Sequence, residues 1–381
     1  MLRLRSLALC ATAVAAAFAL AGCNRIPDTV KIGVAQPMSG PLGALGNDMK
    51  NGVQLAVDEL NAAGFRIDGK NVKLEVVAVD DKANADEGRK VAQVLVDAGV
   101  VAVVGHLNSG VSIAAAPIYA EHDIAQLAIS TKPEYTQLKL PTTLRLVAND
   151  ALQSKALGSY AADLPGVTKF AVVDDSTPYG KGLADLASEQ IRKVGRAVTL
   201  RQSLDDKTTD FSKLVADLKT AGVEVFVTTL ADFQVGALVE QLVKAGLTDM
   251  QIVGGDTIKT DKMPRMASGI KAVYATSPII EAREFNAGQQ FLTKFRAAYK
   301  SEPVYGAHYA YDATYVLTSA LKRAATVDTK KVVAELKRID ALAPVTNNMR
   351  FRADGEQQYG VVSVYKARAG VWEPMTRSDN W

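Results

Sequence analysis

Along the first third of the chain, short continuous apolar runs alternate with segments whose apolar positions recur at helical spacing. Residues 30–36 form one such run, followed by a glycine-rich stretch over 39–46. Residues 47–63 then place Val53, Leu55, Ala56, Val57 and Leu60 on one helical face and stop at Gly64, a glycine suited to a helix C-terminus. The pattern repeats as a strand over 72–79 and a helix over 85–98 closed by Gly99. It repeats again as the strand VVAVVG at 100–105, a helix over 109–121 and a strand over 125–130. Apolar strands without polar alternation, separated by amphipathic helices, predict a parallel sheet covered on both faces.

The same alternation restarts after residue 150. Helices are predicted over 151–162, 182–194, 211–221 and 235–245, and strands over 169–174, 197–202, 223–230 and 251–254. Gly195, Gly222 and Gly246 follow three of those helices. This is a second lobe with the same grammar as the first, a pseudo-repeat. The remainder differs: a strand over 271–277, helices over 287–300, 309–325 and 329–339, and two strands over 361–366 and 370–373. Such a tail predicts return crossings near 148–149, 276–278 and 352–355. The expected architecture is α/β with two lobes, 30–148 plus 278–353 and 149–277 plus 354–381. Three crossings form a hinge beneath a cleft.

Composition narrows the function classes. Hydrophobic residues are 48% and charged residues 22% of 381 positions, a globular balance that excludes a disordered or collagen-like chain. The formal charge of +3 falls to +1 when Arg3 and Arg5 are lost with the leader, leaving no electrostatic footprint for nucleic acid. Both cysteines, Cys10 and Cys23, lie near the start, so the body carries no disulfide, zinc or iron–sulfur framework. Arg3 and Arg5 precede an apolar stretch over 7–20 that is short for a membrane span, and small residues follow it, as in a secretory signal. The segment ends Leu20-Ala21-Gly22-Cys23, which resembles the bacterial lipobox. The expectation is a signal peptide over 1–22, a lipidated Cys23, a short tether over 23–29 and an extracytoplasmic body. Cleavage after Ala19-Leu20-Ala21 is the rival reading and leaves a soluble protein.

Catalytic signatures are mostly absent. There is no phosphate-binding G-x-x-x-x-G-K-[ST] stretch, and Gly40, Gly43 and Gly46 lack dinucleotide-binding spacing. G-x-S-x-G and H-E-x-x-H are missing. His106, His122 and His308 stand alone in sequence, and the pairs Asp80-Asp81, Asp174-Asp175 and Asp205-Asp206 read as solvated loop residues or helix caps. One constellation does carry chemistry. Open α/β sheets bind ligands beyond the carboxyl ends of their strands. Leu107, Asn108, Ser109 and Gly110 follow the strand at 100–105 and open a helix, whose start favours an anion. Ser130 and Thr131 add hydroxyls at the next strand end. In the second lobe Gly254-Gly255-Asp256 ends a strand with a carboxylate able to receive an ammonium. Anion and cation receptors on opposite lobes suit an α-amino acid.

Several stretches occur in the order found in the leucine/isoleucine/valine-type solute-binding proteins of ABC transporters, which this chain resembles from 30 to about 372. They are Met38-Ser39-Gly40-Pro41, VVGHLNSG at 103–110, Ser130-Thr131, Tyr179-Gly180-Lys181-Gly182, Asp210-Phe211 and Gly254-Gly255-Asp256. The resemblance implies a clamshell that hands a small solute to permease subunits without chemistry, cofactor or metal, as a monomer. It implies that Ser109 and Thr131 hold the ligand's carboxylate and ammonium, and that Ile129 offers backbone only. Asp256 then takes the ammonium, and Tyr179 and Tyr305 line the cleft. Leu45 stands where a member has a pocket tyrosine. The loop at 230–234 is expected to bring Asp232 or Phe233 into the cleft, which would favour a ligand with a second positive group. Alternatives are an amide, urea or aromatic acid as ligand, or a sensor role for a signalling partner.

Overall fold

The computed structural model describes residues 26–341 and 343–378. The expected leader over 1–22 and the expected lipidation site Cys23 lie outside the described residues.

The first sheet has five strands: β1 (Thr29–Gln36), β2 (Lys73–Asp80), β3 (Val100–Gly105), β4 (Ala125–Ala128) and β5 (Thr143–Arg145). Their spatial order is β2-β1-β3-β4-β5, all parallel. Between them run α1 (Gly43–Ala62), α2 (Ala85–Asp97) and α3 (Ser109–Glu121). Successive strand side chains point to opposite faces. Ile32, Val34 and Val104 therefore meet Met49, Val53 and Val57 of α1 on one side. Ala35, Val100 and Val103 meet Val91 and Leu95 of α2 and Ala115 and Tyr119 of α3 on the other.

The chain then passes to α4 (Asp150–Ala162), β6 (Lys169–Asp174), α5 (Pro178–Lys193), β7 (Ala197–Ser203), α6 (Ser212–Ala221), β8 (Val225–Thr228), α7 (Asp232–Lys244), β9 (Gln251–Gly254) and β10 (Ala272–Ser277). Strands β7-β6-β8-β9-β10 lie parallel in that order, and this second sheet again has a core on each face. Past Ser277 the chain returns to the first lobe as α8 (Gly288–Tyr299), α9 (Ala307–Ala324) and α10 (Thr329–Arg338). Helix α9 packs on α1 so closely that a β-carbon on Gly52 would lie 2.0 Å from the Ala307 carbonyl oxygen. A third passage leads to the hairpin β11 (Ser363–Arg368) and β12 (Val371–Arg377), which extends the second sheet antiparallel to β10.

Three local expectations are revised. The stretch at 39–46 is not one turn. After a short 3-10 turn at Gly40–Leu42, α1 already starts at Gly43, because Gly46 lets it press against Pro37: an added β-carbon there would sit 2.0 Å from the Pro37 carbonyl oxygen. Helix α5 begins at Pro178, four residues early, with the Thr177 hydroxyl capping the Gly180 N–H at 2.9 Å. Proline suits a first helical turn, so Tyr179 stands on a helix rather than in a loop. The acidic pairs are not uniformly solvated either. Asp81 is fully buried with His106 Nδ1 at 2.7 Å from its Oδ2, and buried Asp174 pairs with Arg201. These partners are 25 and 27 residues away in sequence, beyond the reach of a local pattern. Asp205 and Asp206 are exposed, as read.

Candidate binding site between the lobes

Helix α3 starts directly beyond β3, and Asn108 at its cap position makes no capping bond. The first N–H groups of an α-helix have no partner within it. A strong capping residue is thus in place but leaves that end open. Buried Ser109 opens the helix, and its Oγ accepts from the Lys132 N–H at 3.3 Å. Ser130 is buried and its hydroxyl has no hydrogen-bond partner, while the Thr131 carbonyl accepts from the Asp150 N–H at 2.8 Å. Leu107 packs on the edge of the first lobe's core, and the Ile129 side chain lies within it, which leaves only the Ile129 backbone toward the cleft. The two helix starts meet across the cleft: a β-carbon on Gly110 would sit 3.5 Å from the Pro178 ring.

Across the cleft, Tyr179 donates to Asp256 Oδ1, and Tyr305 reaches over from the first lobe to donate to Asp256 Oδ2 at 3.2 Å. Gln153 Nε2 adds a bond to Oδ1 at 3.0 Å. Burial, and then the Asp256 carboxylate, hold both tyrosine hydroxyls well above their usual range, so both remain neutral donors. Gly255 makes this fit possible, since a β-carbon there would come within 2.7 Å of the Tyr179 hydroxyl. Tyr305 is positioned from underneath. The buried Asp48 carboxylate accepts the N–H groups of Val304, Tyr305 and Ala307 at 2.8–3.0 Å. Burial lifts Asp48 to about 6 despite those bonds.

Sequence reasoning missed Asp150. It is fully buried at the start of α4, and neither carboxylate oxygen has a well-formed hydrogen bond. Burial raises its pKa to about 7; the approaching Thr131 hydroxyl opposes the shift and the Asp256 carboxylate adds to it. A buried carboxyl without a partner is costly. Asp256 already has three donors, so Asp150 is the acid with open capacity for a ligand cation. The only sequence signal was Asn149-Asp150 opening a helix, which reads as a cap, and Asn149 does fill that role. Gln153, one turn on, was missed for the same reason.

Asp232 and Phe233 are not brought to this cluster. Asp232 is the first residue of α7, and its carboxylate accepts from the Thr260 hydroxyl and the Phe233 N–H, each at 2.7 Å. Phe233 is exposed. With its carboxylate taken by those two donors, Asp232 offers no free charge for a second positive group on the ligand. Asp232→Asn should therefore leave ligand affinity within about twofold, measured by titration calorimetry. A loss of tenfold or more would put Asp232 back in the site.

Next to this cluster lies a cavity of about 480 Å³, lined by Tyr305, Leu292 and His308 from one lobe and by Lys259, Val371 and Trp372 from the other. Of the site residues only Tyr305 lines this cavity; Asp150, Asp256, Tyr179, Ser109, Ser130 and Thr131 do not.

Known proteins share this arrangement of lobes. A Leu/Ile/Val-binding protein homolog 2 of Brucella abortus is 32% identical over 346 residues, 90% of this chain and 91% of that protein. The branched-chain amino acid substrate-binding protein LivJ of Streptococcus pneumoniae, solved in complex with isoleucine, is 27% identical with a TM-score of 0.80, covering 92% of this chain and 98% of that one. A leucine-binding protein of Thermotoga maritima shares the fold at a TM-score of 0.82 and 22% identity, covering 92% of this chain and 100% of that one. Residues 29–370 match the family described as periplasmic binding protein. With that span matched and the two-lobed α/β architecture in place, the chain belongs to the periplasmic binding protein family.

Proposed function

We propose that this protein is the extracytoplasmic solute-binding component of an ABC importer, that it takes an L-α-amino acid between its lobes, and that it delivers it to the permease subunits. The observation that carries this reading is the opposition of an uncapped helix start and the unpartnered Ser130 hydroxyl on the first lobe to the Asp150 and Asp256 carboxylates on the second, with Tyr179 and, from the first lobe, Tyr305 donating to Asp256. An α-carboxylate fits the α3 start and the hydroxyls of Ser109, Ser130 and Thr131. The α-ammonium fits Asp150 and Asp256. Each charge-assisted bond contributes roughly 1.5–3 kcal/mol. Bridging both lobes, the ligand shifts the open–closed equilibrium toward closed. The leucine, isoleucine and valine of the relatives' names make branched-chain side chains the first candidates. Aromatic acids, bound by some proteins of this fold, lack a cation for Asp150 and Asp256 and are the weaker candidates.

The test is a melting scan of unfolded-and-refolded protein against single L-amino acids at about 1 mM. A ligand at roughly 1,000 times its dissociation constant stabilises by about 4 kcal/mol, a shift of several degrees. A shift with isoleucine, leucine or valine is the expected result. No shift with any amino acid would overturn the reading and direct the search to amides and organic acids.

The mature chain is proposed to begin at a diacylated Cys23, which would hold the body close to the outer face of a bacterial membrane. Intact mass of the exported protein should show Cys23 plus lipid. A free N-terminus at Gly22 would indicate ordinary cleavage and a soluble protein.

A further inference from the structure

Arg145 closes β5 and has no exposed surface, although a buried guanidinium is rarely retained without a specific task. Its donors divide between two parts of the molecule. Nε and Nη2 bond the two carboxylate oxygens of buried Glu356 at 3.0 and 3.1 Å. Nη1 donates to the Ser130 carbonyl and Nη2 also donates to the Lys132 carbonyl at 2.9 Å. The guanidinium lies over the Tyr135 ring, 5.5 Å from its centre. Glu356 belongs to the third passage between the lobes. That passage is fastened to the edge of the first sheet by the Arg145 N–H, which donates to the Gly355 carbonyl at 2.8 Å. Gly355 has φ of +87°, and a β-carbon there would sit 2.0 Å from the Thr143 carbonyl oxygen, so only glycine permits this approach.

We infer that Arg145 and Glu356 are positioning residues for ligand capture: one guanidinium fixes the segment 130–132, which carries the Ser130 and Thr131 hydroxyls, to the hinge segment at 352–358. Closure of the lobes and the geometry of the Ser130–Thr131 receptor are then set by one buried fork. Lysine cannot replace it, because a single ammonium cannot reach two carboxylate oxygens and two carbonyls in one plane. The effect on affinity presupposes amino-acid binding in the cleft, whereas the effect on hinge and receptor mobility does not.

The experiment compares wild type, the paired variant R145M/E356M and R145K. The paired variant removes both charges together, which avoids leaving one buried and alone. Hydrogen exchange is followed by mass spectrometry on the ligand-free protein, and L-isoleucine is titrated by calorimetry. Peptides covering 129–133 and 352–358 should both exchange at least tenfold faster in R145M/E356M and in R145K, with β1 and β3 unchanged, and L-isoleucine affinity should fall at least tenfold. Unchanged exchange at 129–133 in either folded variant would overturn the inference and leave the pair a packing element. If wild type ignores isoleucine while both segments still loosen together, the positioning role stands and the amino-acid reading fails by itself.

Discussion

Asp150→Asn should abolish most ligand binding while making the ligand-free protein more stable. The buried carboxyl has no well-formed hydrogen bond, and burial has lifted it to about 7, so at pH 8 the fold holds a desolvated anion beside the Asp256 carboxylate. Asparagine keeps the shape and removes the charge. Relief of that desolvation should raise the ligand-free Tm by about 2–4 °C at pH 8. Loss of an ion pair to the ligand ammonium should cost on the order of 100-fold in affinity. Asp256→Asn should behave differently. Its two oxygens accept from Tyr179, Tyr305 and Gln153, and an amide nitrogen would face one of those donors, so Tm and affinity should fall together. Thermal melts and calorimetry on both variants separate the roles. A lower Tm with retained affinity in Asp150→Asn would make Asp150 a structural acid at a helix start.

That opposition between stability and binding explains which residues were visible in the sequence. Strand and helix alternation was legible because a parallel sheet covered on both faces needs apolar side chains on both sides of every strand, as Phe170, Ala171, Val172 and Val173 show by dividing between two cores. Tyr179, Asp256 and Tyr305 could be singled out at strand ends and motif positions, and the fold joins them by direct hydrogen bonds. Asp150 could not. Its chemistry comes from being buried where the lobes meet, and nothing in its neighbours distinguishes it from a solvated residue of a first helical turn. Arg145 and Glu356 are 211 residues apart in sequence, and no local period marks either as buried. Asp232 shows the converse: proximity in sequence to a strand end suggested the cleft, and the fold gives its carboxylate the Thr260 hydroxyl and the Phe233 N–H as partners.

Binding should weaken with falling pH well above the range in which a site with ordinary carboxylates loses its charge. In the ligand-free protein Asp150 is raised to about 7, by burial first and then by Asp256, against the Thr131 hydroxyl and the nearby Arg145, with Glu134 adding to the rise. A raised carboxyl favours the protonated fold. Its contribution to stability is complete below about pH 4 and is lost as pH rises through about 7. A ligand ammonium reverses that preference, because it needs the anion and pulls the Asp150 pKa down. Below pH 7 binding must therefore release a proton, and affinity should weaken about tenfold per pH unit between pH 7 and 5, levelling off above pH 8. Asp48 on α1 and Asp312 on α9, both lifted by burial to about 6, hold backbone N–H groups within the first lobe and bear on stability rather than on proton release. Calorimetry of one ligand in two buffers of different ionisation enthalpy at pH 6 should show close to one proton released per ligand bound, and none in Asp150→Asn. Proton uptake in the wild type instead would mean that the ligand is held by the protonated carboxyl acting as a donor. The charge partner at Asp150 would then be an acceptor rather than an ammonium.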